Sequence, residues 1–151
     1  MDKYESLKLS NQLCFPLYLC SKEIIRKYTP YLDEINLTYT QYIVMMYLWE
    51  HNECNVKEIG CNLLLDSSTL TPLLKKLEDK GYINRIRNKI DERNLIISLT
   101  NDGVDLKDKA INIPKEVGKC IDLDEEDAKT LYRLLYKILN NIGGDNNDKR
   151  S

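Results

Sequence analysis

The segment from Asp66 to Thr100 constrains the fold of this chain more than any other, and it reads DSSTLTPLLKKLEDKGYINRIRNKIDERNLIISLT. Its first half predicts an amphipathic helix, because apolar residues recur at the spacing of one helix face. Asp66 or Ser67 can cap its start, since a short side-chain oxygen accepts hydrogen bonds from first-turn amides. Lys80-Gly81 ends it, since glycine readily takes the left-handed conformation after a last turn. The apolar face comprises Leu70, Leu73, Leu74 and Leu77.

The opposite face of this helix begins with small hydroxyl residues and continues with lysines. Hydroxyls at a helix N-terminus reach base edges and phosphates in a major groove, and lysines neutralise the DNA backbone. We therefore predict a DNA recognition helix. Its expected DNA-binding residues are Ser67, Ser68, Thr69, Thr71, Lys75 and Lys76.

The second half of the segment predicts a two-stranded ribbon. Tyr82 to Arg87 and Leu95 to Leu99 alternate in character, and the polar stretch between them suits a hairpin tip. An arginine on a protruding ribbon fits a narrow minor groove, where negative potential is concentrated. Asp91 can pair with Arg93 and orient its guanidinium. The expected DNA-binding residues here are Arg85, Arg87, Lys89, Asp91 and Arg93.

Local charge agrees with this interpretation. The chain carries 22 Lys and Arg against 24 Asp and Glu, a net charge of −2. Residues 67–100 hold seven basic and four acidic side chains, so this stretch is positive and the remainder is negative. One basic face on an acidic protein allows DNA binding while limiting indiscriminate adhesion. The alternative is a solvated charged surface beside an ordinary amphipathic helix.

The rest of the chain predicts further helices, so the expected fold class is mainly α with a small β-hairpin wing (α+β). We expect Ser10 to cap a first helix that continues to about Tyr28, and Pro30 to prevent its continuation. Pro114 should bend or break a later helix. Helix starts are expected near Thr38, Asn55, Asn101 or Asp102, and Asp124.

The terminal helices carry more apolar residues than a lone winged domain needs. Each such side chain gains about 1.5–3 kcal/mol on full burial. We expect a symmetric homodimer interface to cover them, the alternative being packing within one chain. The residues concerned are Leu7, Leu9, Leu13, Leu17, Ile111, Ile113, Val117, Ile121, Leu131, Leu135 and Ile142.

The motifs resemble those of the MarR family of winged helix-turn-helix repressors. LDSSTLTPLLKKLEDKGYINR followed by DERNLIISLT resembles its recognition helix and wing, and NQLCFPLY with NLTYTQYIVMMYLWEH resembles its OhrR-like subgroup, which senses organic hydroperoxides. The resemblance implies a homodimer on a pseudo-palindromic double-stranded DNA operator. It also implies a single domain over 1–151, with dimerisation helices at 1–36 and 101–142 and a winged helix-turn-helix at 37–100. Residues 143–151 are polar and glycine-rich, so we expect a flexible tail there.

Five cysteines are present, at positions 14, 20, 54, 61 and 120. They form no C-x-x-C pair, and the single histidine leaves no zinc-finger spacing, so we expect neither metal nor cofactor. We interpret Cys20, Cys54 and Cys61 as small hydrophobic residues. Cys14 differs because it falls in the first turn of the predicted first helix, where unpaired amides and the helix dipole favour a thiolate.

The resemblance assigns roles around Cys14. It matches the peroxide-reactive cysteine of OhrR-like proteins, and Tyr28 and Tyr39 match the two tyrosines that hydrogen-bond that sulfur. Cys120 matches the resolving cysteine of the two-cysteine type, which implies that oxidation forms an intersubunit Cys14–Cys120 disulfide and releases DNA. Cys20 is a rival resolver, although six residues along one helix it points to a different face.

Two other functions stay open at this point. A small phenolic ligand lodged near Tyr28 and Tyr39 could release DNA instead of oxidation. A thiol peroxidase is disfavoured because no basic residue adjoins Cys14 in sequence, so we do not expect an enzyme. The N-terminal residues are polar and no apolar run is long enough to span a bilayer, so we expect a cytoplasmic protein without membrane association.

Overall fold

The computed structural model of the chain describes residues 2–91 and 94–143. Their contacts form two compact units, Met1–Val117 and Gly118–Ser151, and each is treated by itself. Two short 3-10 turns, Glu5–Leu7 and Leu9–Asn11, precede the helices. The helices are α1 (Cys14–Glu34), α2 (Tyr39–His51), α3 (Val56–Leu63), α4 (Ser67–Asp79), α5 (Asn101–Ala110), α6 (Ile113–Ile121) and α7 (Glu125–Gly143). The strands are β1 (Glu53–Asn55), β2 (Ile83–Arg87) and β3 (Leu95–Leu99).

The expected fold class is confirmed, with one addition to the sheet. The predicted ribbon is the antiparallel pair β2 and β3, in which Arg85 lies opposite Ile97. β1 pairs with the other edge of β3, with Cys54 also opposite Ile97, so the sheet has three strands in the order β1-β3-β2. Sequence reasoning missed β1 because three residues are too few to show an alternating pattern.

The core of the first unit is built around α2. Tyr42, Val44, Met45 and Leu48 are each at most 1% exposed. The four leucines of α4 predicted to face inward are all buried here, which confirms that helix and its orientation. Ile113 and Val117 belong to the same core, at 5% and 1% exposed. Their assignment to a dimer interface was therefore wrong, because α6 begins by packing on its own chain.

The first helix differs from expectation at both ends. Ser10 lies in a 3-10 turn and does not cap α1, which begins at Cys14 after Leu13, a residue without a capping side chain. Pro30 does not end α1, which runs on to Glu34. Beyond Pro30 the helix carries Leu32 into the core at 2% exposed, and this burial offsets the hydrogen bond that proline cannot donate.

The other helix starts follow the expected signals. Side-chain caps are present at Thr38, Asn55, Asp66 and Thr100, and the first two form reciprocal capping boxes. Pro114 lies in the first turn of α6, after the break that follows Ala110. Gly143 is the last residue of α7 and not the first residue of a tail, and 144–151 lie outside the described residues.

The base of the wing is fastened to α5 by close backbone packing. Thr100 accepts a hydrogen bond from Gly103 N at 3.0 Å and donates to the carbonyl of Gly81 at 2.6 Å. Trp49 Nε1 of α2 donates to the Gly103 carbonyl at 2.8 Å. A Cβ atom on Gly103 would stand 2.0 Å from the Tyr82 carbonyl oxygen, so this position requires glycine.

Gly103→Ala should destabilise the protein strongly, because a methyl group cannot share space with a backbone carbonyl. We expect a loss of at least about 3 kcal/mol, the upper end for overpacking, measured as a lower melting temperature. Gly118→Ala is the matched control. Outside its own helix backbone, no atom of residues 2–91 and 94–143 lies within 4 Å of the added Cβ, and removing a glycine from a helix interior gains about 0.5–1 kcal/mol. Equal melting temperatures for the two variants would contradict this packing.

Within 2–91 and 94–143, no helix combines the length and apolar character needed to cross a membrane.

Candidate nucleic-acid interface and thiol site

The N-terminus of α4 is capped by Asp66. Its Oδ1 accepts from Thr69 N at 2.9 Å and from Ser68 Oγ at 2.5 Å. The hydrogen bond from Ser68, followed by those from Thr69, lowers the pKa of the Asp66 carboxyl. The cap therefore holds the first turn in one geometry. Every predicted α4 contact residue is exposed on the side opposite the leucines: Ser67, Ser68, Thr69, Thr71, Lys75 and Lys76.

The basic residues of the segment divide into two groups. Arg87 and Lys89 are exposed on the wing, as is Asp91. Arg85 instead pairs with Glu78 of α4, with Nε 2.8 Å from Oε2, and its side chain is only 24% exposed. Arg85 therefore braces the wing against the helix, although it was predicted as a DNA contact. Arg93, and with it the expected pair with Asp91, lies outside the described residues.

Lys80 also points back into the protein. Its Nζ donates to the carbonyl of Asn36 at 2.6 Å and to Gln41 Oε1 at 3.0 Å. Burial, and to a lesser extent Lys76, lowers the pKa of this ammonium group. The sequence analysis counted Lys80 among the basic residues of the predicted DNA-binding segment. In the structure its charged group bonds to the protein and is not part of the exposed basic face.

A groove of about 430 Å³ lies between the start of α3, the exposed face of α4 and the wing. Thr71 and Asp91, both predicted contacts, border it. Lys57, in the first turn of α3, also borders it and was missed by sequence reasoning. The available signal was its place two residues after the cap Asn55 of the first helix of a helix-turn-helix. The complete lining is Asn55, Val56, Lys57, Thr71, Asp91, Asn94 and Leu95.

Cys14 is the first residue of α1 and is exposed. Leu13, the residue before it, makes no side-chain capping hydrogen bond to the amides of this first turn. The expected position of Cys14 in a first turn is confirmed, although the helix starts later than predicted. Cys120 is exposed on α6, in the second unit.

The other cysteines are only partly as expected. Cys54 is 7% exposed within the core, as predicted for a small hydrophobic residue. Burial, followed by the nearby Glu58 and Glu53, raises its pKa to about 11. Cys61, expected to be a small hydrophobic residue, is instead exposed on α3, on the side away from Ile59 and the core. Cys20 is exposed in the single chain as well.

Tyr28 and Tyr39 are in contact. Their ring centroids are 5.0 Å apart, and Tyr42 lies 5.8 Å from Tyr28. Burial, and then the neighbouring Tyr39, raises the pKa of Tyr28, so its hydroxyl remains a hydrogen-bond donor at neutral pH. Burial raises the pKa of Tyr42 to about 12.

Cys14 and Tyr28 cannot meet within one chain. Both belong to α1 and are separated by 14 positions, which is about 21 Å along a helix axis. No hydrogen bond between described residues joins Cys14 to Tyr28 or Tyr39 in the single chain. Among the same residues, no group of three or more potential ligands is close enough to hold a metal ion.

Comparison with known proteins identifies the family. The family described as transcriptional regulator SarA/Rot matches residues 26–110. The organic hydroperoxide resistance transcriptional regulator of Bacillus subtilis is 46% identical over 141 residues, 93% of this chain and 96% of that protein. The chain belongs to the SarA/Rot and MarR-type winged-helix regulators. The sequence prediction of this family is confirmed.

Two staphylococcal proteins extend the comparison, and one of them, AbfR, has been solved in reduced and disulfide-formed states. SarZ of Staphylococcus aureus is 45% identical over 146 residues, 97% of this chain and 98% of that protein. Reduced AbfR bound to DNA superposes with a TM-score of 0.75 at 36% identity, covering 93% of this chain and 98% of that one. Disulfide-formed AbfR gives a TM-score of 0.63 at 35% identity over 91% and 96% of the two chains. The chain is thus a transcriptional regulator of the MarR, OhrR and SarZ type.

Thiol labelling should separate Cys54 from Cys61. Cys54 is buried and its pKa is raised to about 11, so its reactive thiolate stays scarce until the pH approaches that value. Iodoacetamide at pH 8 should alkylate Cys61 and leave Cys54 unmodified in the native protein, as read by peptide mass spectrometry. Denatured protein is the control, since both should then react. Rapid native alkylation of Cys54 would contradict its placement in the core.

Proposed function

We propose that this regulator is a redox-sensing repressor that binds a pseudo-palindromic DNA operator as a reduced homodimer and releases it when Cys14 is oxidised by an organic hydroperoxide. The observation that carries the proposal is Cys14 itself, an exposed thiol at an uncapped helix start in a winged-helix regulator. The name of the Bacillus subtilis relative and the redox forms in which AbfR has been solved support the same chemistry.

DNA binding is supported by the surface around α4. The exposed hydroxyls and lysines of the helix, with Lys57, Arg87 and Lys89 beside them, present donors and positive charge to a duplex. α4 would enter the major groove while the wing reaches the adjacent minor groove. The reduced form of AbfR, which is solved on DNA, agrees with this role.

Dimerisation is supported by apolar side chains that the single chain leaves in water. Leu7, Leu13 and Ile111 are between 70% and 73% exposed, and Ile142 is 59% exposed. Helices within 1–36 and 101–142 would bury these residues against a second copy, around the winged region at 37–100. Two-fold symmetry would then place two recognition helices about 34–36 Å apart, one DNA turn.

The thiol site in this proposal is shared between two subunits. Since Cys14 and Tyr28 lie about 21 Å apart along α1, the tyrosines that hold the sulfur would come from the partner. Tyr28 and Tyr39 form one contacting pair at the end of α1 and the start of α2. Their hydroxyls would donate hydrogen bonds to the Cys14 thiolate and later to its oxidised form.

Oxidation would proceed in two steps. The Cys14 thiolate attacks the terminal hydroxyl oxygen of the hydroperoxide, the O–O bond breaks, and the alkoxide leaves and takes a proton to become an alcohol. Cys14 is left as a sulfenic acid. The thiolate of Cys120 from the partner subunit then attacks this sulfur and displaces hydroxide, which is protonated to water, and a disulfide forms.

Disulfide formation would release DNA by moving the dimer helices. The two Cα atoms must come within about 7 Å for the bond to close. A shift of the helices that carry Cys14 and Cys120 would change the separation of the recognition helices in the dimer, so that they would no longer match the two half-sites. This is a coupling between two sites through a two-state element.

Cys14→Ser should keep the protein on its operator in the presence of cumene hydroperoxide, because the attacking sulfur is absent. Gel shifts or fluorescence anisotropy on the chain's own promoter would measure this, with dithiothreitol added afterwards to restore binding by the wild type. Cys61→Ser is the matched control, an exposed cysteine that should leave release unchanged. Normal release by Cys14→Ser would remove Cys14 from the mechanism, and release only by an aromatic acid would select the phenolic-ligand alternative.

Cys120→Ser should abolish an oxidant-induced covalent dimer, since Cys120 is the proposed resolving thiol. Non-reducing electrophoresis after hydroperoxide treatment would show the dimer in the wild type and in Cys20→Ser. Persistence of the dimer in Cys120→Ser, with its loss in Cys20→Ser, would assign the resolving role to Cys20 instead.

A further inference from the structure

Lys80 joins the end of the recognition helix to the corner between α1 and α2. It is the residue that follows α4, and its Nζ reaches 44 positions back to the Asn36 carbonyl and 39 positions back to Gln41 Oε1. Asn36 has a left-handed φ of 54°, which marks the turn after α1. One ammonium group thus bridges two segments that are remote in sequence.

The corner to which Lys80 bonds has further hydrogen bonds of its own. Gln41 is 3% exposed, and its Oε1 also accepts from the backbone N of Thr38 at 3.1 Å. Gln41 N in turn donates to Thr38 Oγ1 at 3.3 Å, which completes the cap of α2. Without Lys80, the buried Gln41 Oε1 would lose one of its two hydrogen-bond donors. Losing a hydrogen bond to a buried polar atom destabilises the folded protein, because water cannot replace the missing donor.

The same corner carries the tyrosine pair. Tyr39 is the first residue of α2, directly after the cap Thr38, and its ring contacts Tyr28. Tyr39 is bonded directly to the cap residue Thr38, and the cap shares its buried Gln41 with Lys80. The contacts between the tyrosines and α4 therefore form one short chain of packed and hydrogen-bonded groups.

We propose that Lys80 is a positioning residue that holds the recognition helix against the α1–α2 corner and makes DNA affinity depend on the state of the tyrosine pair. It does so without touching DNA, because its Nζ is directed into the protein. This inference rests on the proposed function, in which α4 reads the operator and the tyrosines hold Cys14.

Lys80→Met tests the positioning role, because methionine keeps the aliphatic stem and removes the donor. A lysine that contacts phosphate contributes about 0.9 to the slope of log K against log salt. We expect Lys80→Met to weaken operator binding by roughly 2–30-fold with the wild-type slope. Lys76→Met, the matched exposed lysine one turn earlier, should weaken binding and lose about 0.9 of that slope.

Gln41→Met provides a second variant from the other side of the contact. Gln41 is too buried to reach DNA, so weaker binding with an unchanged slope would arise only through positioning. Melting temperatures would confirm that each variant is folded, and Lys80→Arg should restore affinity. A slope lowered as in Lys76→Met, or wild-type affinity in both Lys80→Met and Gln41→Met, would overturn the positioning role.

Oxidant response tests the coupling. The ratio of operator affinities before and after hydroperoxide should be smaller in Lys80→Met than in the wild type. A full ratio in the variant would overturn the coupling while leaving the redox function standing. A wild type that never releases DNA would refute the redox function itself, and the salt comparison, which uses only reduced protein, would still decide the positioning role.

Discussion

The burial of four leucines on one face of α4 determines what the rest of this regulator can do. Leu70, Leu73, Leu74 and Leu77 are all buried around α2, and this fixes the rotation of α4 about its axis. The hydroxyls and lysines on the opposite face are consequently held toward solvent at one edge of the molecule. DNA recognition in the proposed mechanism relies on that rotation, since a turn of the helix would bury charge and expose leucine.

Three polar contacts supplement this apolar packing by joining the wing and α4 to neighbouring segments. Arg85 braces the wing against Glu78, Thr100 ties the wing base to Gly81, and Lys80 ties the helix end to the α1–α2 corner. Each holds an element of the candidate DNA interface in place. Basic side chains near the interface thus serve two purposes. Exposed ones such as Lys75 and Lys76 are available to phosphates, whereas Arg85 and Lys80 hold the wing and α4 in position.

The thiol and the interface belong to different parts of the chain, so the proposed regulation needs a second subunit as well as internal connections. Cys14 lies at the start of α1, whereas Tyr28 lies in the second half of α1 and Tyr39 at the start of α2. Placing the oxidisable sulfur of one subunit against the tyrosines of the other would make the dimer itself the sensor. A change of oxidation state would then act on the corner to which α4 is fastened.

Sequence alone determined most helix starts, the wing strands and the exposed face of α4, because caps, periodicity and turns depend on residues within about four positions of one another. Its motifs also indicated the family. Only the tertiary structure decided that α1 continues past Pro30, that β1 joins the sheet, that Ile113 and Val117 enter the core, and that Cys61 is exposed. It also turned Lys80 and Arg85 inward. Lys80 meets its partners 39 and 44 positions away, and no local pattern can encode a contact that exists only once distant elements have packed.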